Sequence, residues 1–428
     1  MKFYYEEYSY KEIGRDIKIS FLFKINDVVF KPKVIIKNAS LDKKNKKVLN
    51  NLVFNLGMIE MFSYWKAFCA PQIIVRAGKL NKRQVNWWEK LLINGMGQFF
   101  YENKIKKQSI KIISEGEDTF KKGKVTGKEI MIPVGGGKDS AVTLNIFKEK
   151  NPTCFVLNPD KTNLKMVGKK ELIVAKREIE KNLLEMNKKG FYNGHTPFVA
   201  YLSFLSVLIS YLFNKKYIVF SNEDSANEEN VIWLQKKINH QYSKTYEFEK
   251  DFRIYCSDYL MENVEYFSAL RMLYEIQIGL IFSHMKDYHN IFLSCNEASK
   301  TNSGTKKKTG KWCNNCSKCL FVYLILYPFL NEEELLSIFG EDLFENKKLL
   351  PILKELTGEK KIKPFECVGT RAEVLVALYL GSKKERKPYM IRYFEKNILP
   401  KHKDWEKMAS KVMNHWNTKN FIPEEFKL

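Results

Sequence analysis

Several groups of residues in this chain have types and spacings that chemistry requires. The first is Pro133-Val-Gly-Gly-Gly-Lys-Asp-Ser140, which overlaps the end of the apolar run Ile130 to Val134 and leads into the helix-like run Ala141 to Glu149. Glycines at Gly135, Gly136 and Gly137 let backbone amides point one way, and the helix that follows adds free N–H groups and the positive end of its dipole. That is a phosphate cradle, with Lys138, Asp139 and Ser140 at its far side. A Walker loop is excluded because Asp139 follows the Lys where Ser or Thr is needed, and the dinucleotide fingerprint because Ser140 stands where a third Gly is required. The second group is Ser221-Asn-Glu-Asp-Ser-Ala-Asn-Glu-Glu-Asn230, an acidic island in a basic chain. Ser221, Asn222 and Glu223 are candidates for contact with a nucleotide, and Asp139 and Glu223 for Mg²⁺ on its phosphates; a solvated loop is the alternative.

Asn239-His-Gln-Tyr-Ser-Lys-Thr-Tyr246 supplies an imidazole (His240), a phenol (Tyr242), a hydroxyl (Ser243) and an amine (Lys244), which can donate to phosphate or carboxylate or serve as acid and base. Cys295 with the C-x2-C-x2-C cluster Cys313, Cys316 and Cys319 suits a closed tetrahedral Zn²⁺ site that would pin the Lys-rich loop Lys300 to Lys311 to the sheet, free thiols being the alternative. Cys69, Cys154, Cys256 and Cys367 have no metal spacing, though Cys367 has a thiol suited to moving a proton. Only nine of the 72 basic residues are Arg, so Arg253, Arg271 and Arg371 are candidate carboxylate or phosphate clamps, where a planar fork is worth more than a plain charge.

The elements that must position these groups read as strand, helix, strand, helix from Ile130 onward, an α/β domain with a mostly parallel sheet. Thr153 to Leu157 is the second strand, Lys169 to Asn187 a long helix, and Tyr217 to Ser221 and Asn290 to Ser294 further strands, whose carboxyl ends are where such sheets bind ligands. Upstream, Ile17 to Lys37 alternates as a small antiparallel sheet, Val48 to Phe68 is helical, and Asn86 to Tyr101 is dense in aromatics around Gly95 and Gly97. Asn103 to Lys128 reads as a polar connection, and Glu332 to Phe339, Leu349 to Leu356, Ala372 to Tyr379 and Trp405 to Trp416 read as helices. A chain of 428 residues exceeds one ordinary core, and about 150 residues per domain suggests two or three; the pattern of elements divides it into an α+β portion at 1–105, an α/β domain with the glycine loop and the four-cysteine zinc element at 106–330 and a helical portion at 331–428.

The net charge of +23 comes from scattered Lys rather than a defined basic stripe, so it favours small anions such as nucleotides, with RNA binding left as a second class. Met1 to Asp16 lacks the apolar core of a signal peptide, and Pro197 to Phe213 is at the short limit for a span and carries Ser203, Ser206 and Ser210. A cytoplasmic protein with a buried helix there, no membrane partner and reduced or metal-bound cysteines is expected.

The glycine loop resembles the PP-loop of the N-type ATP pyrophosphatases, Ser-Gly-Gly-x-Asp-Ser, with Gly135 in place of the first Ser. That superfamily splits ATP between the α and β phosphates and leaves AMP on a substrate oxygen. Adding Ser63-Tyr-Trp-Lys66, Gly95-Met-Gly-Gln-Phe-Phe-Tyr101, Ser221-Asn-Glu223, Asn239 to Ser243, Ser294-Cys-Asn296, Trp312 to Cys319 and Phe365-Glu-Cys-Val-Gly369, the chain resembles the bacterial UDP-N-acetylmuramoyl-L-alanyl-L-glutamate epimerase family, with Gln98 where Glu is expected. The resemblance implies a Rossmann-like PP-loop sheet and an enzyme of peptidoglycan precursor synthesis that uses ATP and Mg²⁺ to invert the terminal L-glutamate of an anionic UDP-linked muramoyl dipeptide, releasing AMP and pyrophosphate. It implies an acid and a base among His240, Lys244 and Cys367, and substrate contacts among Gln98, Tyr101, Tyr242, Ser243, Arg253, Arg271 and Arg371. An amidating relative of the queuosine-precursor synthase type and an RNA-binding relative are the competing readings.

Overall fold

Strand formation in this chain follows runs in which alternate side chains find opposite cores. In a computed structural model, which describes residues 1–106, 109–117, 120–299 and 309–427, eleven strands join one sheet in the order β13-β10-β7-β8-β9-β4-β2-β1-β5-β6, with β3 paired to β2. In chain order these are β1 (Lys2–Ile13), β2 (Asp16–Ile25), β3 (Val28–Phe30), β4 (Lys33–Ile36), β5 (Gln72–Val75), β6 (Lys111–Ser114), β7 (Ile130–Pro133), β8 (Thr153–Leu157), β9 (Leu172–Glu178) and β10 (Tyr217–Phe220). A separate hairpin follows, β11 (Val231–Trp233) and β12 (Lys236–Ile238), and then β13 (Glu265–Ser268). The five strands β13, β10, β7, β8 and β9 are mutually parallel. The antiparallel group around β2 attaches through β4 to β9, so strands from residues 1–105 and from 106–330 share one sheet.

The parallel half is covered on both faces, which is why its strands are apolar runs rather than alternating ones. On β7, Met131 belongs to the core shared with the N-terminal strands, whereas Ile130 and Ile132 belong to the core shared with the C-terminal helices. The helix Phe198–Phe213 lies over the first core; Ser203 donates to the Val199 carbonyl at 2.8 Å and Ser210 to the Lys215 carbonyl, while the buried Ser206 hydroxyl has no hydrogen-bond partner among the described residues. The helices Lys138–Ile146, Glu275–Ser283 and Ser317–Leu326 fill the second core together with Glu332–Phe339, Leu350–Leu356, Arg371–Gly381, Tyr389–Asn397 and Trp405–Met413. Among the described residues no helix is long and apolar enough to cross a membrane.

Two expected elements are corrected. Lys169 to Asn187 is not one helix: β9 occupies Leu172–Glu178 and a helix begins only at Lys181. Ile173 and Ala175 are buried while their neighbours are not, a period of two, and partners on both sides (β8 and β4) complete the backbone hydrogen bonds that a helix would have made internally. Asn290 to Ser294 is not a strand, because β13 already holds the place beside β10; the segment instead braces the glycine loop, Leu293 N–H donating to the Gly136 carbonyl at 2.9 Å.

Candidate active site

The glycine loop leaves β7 at Pro133. Val134 N–H still bonds to the Phe155 carbonyl at 2.8 Å, and the chain then turns through Gly136 at φ +84° and enters the helix Lys138–Ile146 from an extended Gly137. No side chain caps this helix, which leaves its first amides for a ligand. The approach of the backbone is close: a Cβ on Gly136 would lie 2.9 Å from Asn163 Nδ2, and one on Gly137 2.9 Å from Ser294 Oγ. Gly135 has open space, its nearest neighbour for a Cβ being Ser140 Oγ at 3.8 Å, and its N–H donates to that oxygen at 3.1 Å. The loop borders a cleft of about 540 Å³ between the ends of β7, β8 and β10, reached also by Ser221, Asn222, Lys244, Lys318 and Cys367. It sits where the sheet's connections part toward β8 on one side and β10 on the other, the place a doubly wound sheet offers to ligands.

Asp139, Glu223 and Glu275 converge at the loop's helix side, offering carboxylate oxygens that all lie within 4.8 Å of one another. Lys138, expected to reach the ligand, is fully buried and bonded to Asp139 and Glu275. Lys318 Nζ lies 3.5 Å from Glu275 and Lys244 Nζ 3.9 Å from Glu223. Neither oxygen of the fully buried Glu223 has a hydrogen-bond partner among the described residues. Burial holds the Glu223 carboxyl above its ordinary range, with Lys244 opposing. Asp139 is held low: its burial raises it, but Lys138, Lys318 and Lys244 outweigh that. Burial also opposes the charge of Lys244, yet Cys367 and then Glu223 carry it above the usual lysine range. An orphaned buried carboxylate beside two others is costly alone and suits a hard divalent cation, which takes oxygen ligands.

Sequence reasoning passed over Glu275 and Lys318. Glu275 heads a helix that is otherwise apolar, and a single acid at the mouth of such a run was its one available signal. Lys318 lies inside the second C-x2-C of the cysteine cluster, hidden in a motif read for its thiols, and its Nζ donates to the Cys367 carbonyl.

The cysteines expected to bind metal do meet. Sγ separations are 4.0 Å for Cys295 and Cys316, 3.7 Å for Cys313 and Cys319, and 3.5 Å for Cys316 and Cys319. A tetrahedron with Zn–S of about 2.3 Å has edges of about 3.8 Å. Cys316 caps the helix Ser317–Leu326 through its sulfur, and Cys295 follows Ser294 at the glycine loop. The cluster thus ties the brace of the loop to the helix that carries Lys318. The Lys-rich loop it was expected to pin falls largely in residues 300–308, outside the described residues.

The remaining candidates divide. His240 Nδ1 lies 2.5 Å from Gln98 Oε1, Gln98 Nε2 donates to Glu102 at 2.8 Å, and the His240 ring is 4.5 Å from that of His195, a histidine the sequence reading did not single out. Tyr101 packs between Trp233 and Phe365, two residues before Cys367. Tyr242 is buried against Phe248, its phenol pushed up to about 12 by burial, and Ser243 is buried beside it. Arg271 is fully buried between Glu249 and the carbonyls of Glu223 and Lys244, so it fixes the backbone of two cleft residues. Arg253 pairs with Glu265 at 3.0 Å, and Arg371 opens a helix and donates to the Lys361 carbonyl; neither lines the cleft.

Comparison with known proteins places this arrangement. The family model of the MurL N-terminal domain matches residues 1–269, and that of the MurL C-terminal domain matches residues 291–409. The chain belongs to the MurL family. Among curated MurL relatives, a protein of Salinispora tropica named UDP-N-acetyl-alpha-D-muramoyl-L-alanyl-L-glutamate epimerase is 34% identical over 76% of this chain and 72% of its own length. Proteins of the same name from a Micromonospora strain (31% identical, 77% and 74% covered) and Xanthomonas oryzae pv. oryzae (28% identical, 81% and 78% covered) also match. No solved structure matches.

Proposed function

We propose that this protein is the ATP-dependent, AMP-forming epimerase that inverts the terminal L-glutamate of UDP-N-acetylmuramoyl-L-alanyl-L-glutamate in the cytoplasm, and that its parallel half is a PP-loop ATP pyrophosphatase fold. The observation that carries the reading is the junction of a glycine cradle with three carboxylates, two buried and one half-buried, of which Glu223 has no hydrogen-bond partner among the described residues. The family relatives bear the name of that epimerase.

The α hydrogen of a free glutamate is hard to remove, because the carbanion would form beside an existing carboxylate charge. The chemistry is therefore an activation. The substrate's α-carboxylate oxygen attacks the α phosphorus of ATP, the bond to the β phosphate breaks and pyrophosphate leaves into the cradle of Gly136, Gly137 and the uncapped helix start after them. Asp139, Glu223 and Glu275 would hold Mg²⁺, which when bound neutralises phosphate charge. Lys244 and Lys318, both facing the cleft, stabilise negative charge developing on phosphate and on the enolate of the acyl-adenylate. One group removes the α proton and another returns a proton on the opposite face; Cys367 and Lys244 face the cleft, and His240, four residues before Lys244, is oriented by Gln98. Water then attacks the mixed anhydride and releases AMP. Cys295, Cys313, Cys316 and Cys319 would hold a structural Zn²⁺ that keeps Lys318 and the loop's brace in place.

The test is turnover of UDP-N-acetylmuramoyl-L-alanyl-L-glutamate with ATP and Mg²⁺ in D2O. D-Glutamate with one deuterium at the α carbon, together with AMP and pyrophosphate, is the expected product. Unlabelled L-glutamate, ADP formation, or an amide appearing under added ammonia refutes the reading.

A further inference from the structure

Among the buried cations that the reaction outlined above leaves unused, Lys66 differs from Lys215, Lys363 and Arg271 in having no ion-paired carboxylate among the described residues. Lys66 follows the short helix Phe62–Trp65 and is only 8 % exposed. Its ammonium has three donors, and one of them bonds to the Gly194 carbonyl at 2.7 Å. No carboxylate among the described residues pairs with it: burial first and then the neighbouring Arg177 press it down to about 8. Arg177 itself is answered by the Glu60 carboxylate at 2.8 Å and by Ser63 Oγ at 2.7 Å, so the nearby acid is already committed. Glu102, the other acid in the neighbourhood, takes a hydrogen bond from Gln98 and lies exposed.

Two imidazoles complete the surroundings. His195, next in the chain to Gly194, is pressed to about 4 by burial and by Lys66, and its half-buried ring tilts against that of His240. Both segments run on into the nucleotide cleft: His195 leads to Phe198 and Val199, and His240 to Lys244, all of which line it. A buried ammonium with spare donors and no counter-charge is an unfavourable arrangement that a bound anion relieves. The neutral His195 imidazole beside it has one N–H to offer the same ligand, while His240, whose Nδ1 is engaged by Gln98, packs against the His195 ring.

We propose that Lys66 and His195, with the His240 ring packed against His195, form an anion subsite that binds a carboxylate or phosphate group of the substrate next to the adenylating cleft. That the ligand belongs to the substrate rests on the proposed reaction; the affinity for an anion does not. In that reaction the α-carboxylate is consumed by activation, which leaves the γ-carboxylate of glutamate and the nucleotide diphosphate as the groups this subsite could hold.

The experiment uses the full chain and two probes, glutarate and inorganic phosphate, titrated separately while the ring signals of His195 and His240 are followed by NMR; the chain has six histidines, assignable by single substitution. Saturable shifts of both rings with at least one probe are expected, weakened by about tenfold or more in Lys66→Met and recovered in Lys66→Arg. Thermal melting confirms that the variants are folded. No saturable shift with either probe, or equal affinity in the wild type and a folded Lys66→Met, overturns the subsite. Turnover separates the sources: a γ-carboxylate ligand predicts a KM for the dipeptide substrate raised about tenfold by Lys66→Met, with binding of UDP-N-acetylmuramoyl-L-alanine unchanged. A diphosphate ligand predicts that both weaken together. A wild-type protein that binds glutarate or phosphate at these rings but forms no D-glutamate refutes the reaction and leaves the subsite standing.

Discussion

Replacing Gly136 by Ala perturbs the cradle through its backbone alone. At φ +84° a side chain costs about 1–2 kcal/mol, since the left-handed region brings Cβ against the following carbonyl. The new methyl would also lie 2.9 Å from Asn163 Nδ2 and 3.2 Å from Thr162 Cγ2. Asn163 cannot move freely, because its Oδ1 accepts from Asp160 N–H at 3.1 Å in the box that caps the helix Lys161–Val167; loosening that cap costs about 1 kcal/mol. The sum is about 2–3 kcal/mol. With an unfolding entropy of about 2.1 cal/mol/K per residue over 428 residues, each kcal/mol moves the melting temperature by about 1 °C, so a fall of about 2–3 °C is expected. Function should suffer more than stability, since a misplacement of about 1 Å in a positioning loop can cost about 100-fold in rate. The control is Gly135→Ala, whose Cβ meets nothing closer than 3.8 Å and which should stay within about 0.5 kcal/mol of the parent and keep most of its activity. Pyrophosphate release and thermal melting on the two variants decide the matter. A Gly136→Ala protein with parental turnover, or a Gly135→Ala protein equally impaired, refutes the cradle as described.

Further outcomes follow from the carboxylates and the cysteines. Glu223→Gln should reduce Mg²⁺-dependent pyrophosphate release by about 100-fold or more while melting no lower than the parent without added Mg²⁺, because it removes a buried carboxylate that accepts no hydrogen bond among the described residues and has only the distant Lys244 against it; a stability loss above about 2 kcal/mol would contradict that account. Burial raises the Glu373 carboxyl to about 7 from 4.5, so the folded state holds its proton more tightly; its contribution is fully present below about pH 4.5 and about 3 kcal/mol of it is lost as pH rises through 7. Glu373→Gln should flatten this fall in a pH series of melts, despite disturbing the acceptors of Thr370 N–H and Ile276 N–H, and an unchanged slope would count against it. One zinc per chain is expected by metal analysis, and its loss in Cys316→Ser should lower both stability and pyrophosphate release, since the same helix carries Lys318; no zinc in a reduced preparation refutes the site.

What the sequence made legible is what is encoded over a few neighbouring residues. The turn from β7 through Gly135, Gly136 and Gly137 into a helix is local, and so is the C-x2-C-x2-C spacing that brings Cys313, Cys316 and Cys319 together. β9 was illegible as a strand because Lys169 to Asn187 mixes Lys, Glu and apolar residues at spacings that fit a helix, and only pairing with β8 on one side and with β4, over a hundred residues earlier in the chain, on the other settles its period. Glu275 and Lys66 owe their interest to partners far away in sequence, and nothing beside them announces it. The scarcity of Arg suggested ligand clamps, yet Arg271 grips the protein's own backbone at Glu223 and Lys244. The same fork geometry serves either purpose, and only burial tells them apart.

The pairing of Lys33 to Ile36 with Ala175 to Glu178 also bears on how this protein can be divided. A chain cut near residue 105 would strip β9 of β4 and turn an interior strand into an open edge with a row of unsatisfied amides and carbonyls. Either fragment would then present a template for pairing with another copy, so the parallel half expressed alone should aggregate. For truncation and for recombination among relatives, the seam at that position is closed, because a crossover there separates two hydrogen-bonded neighbours.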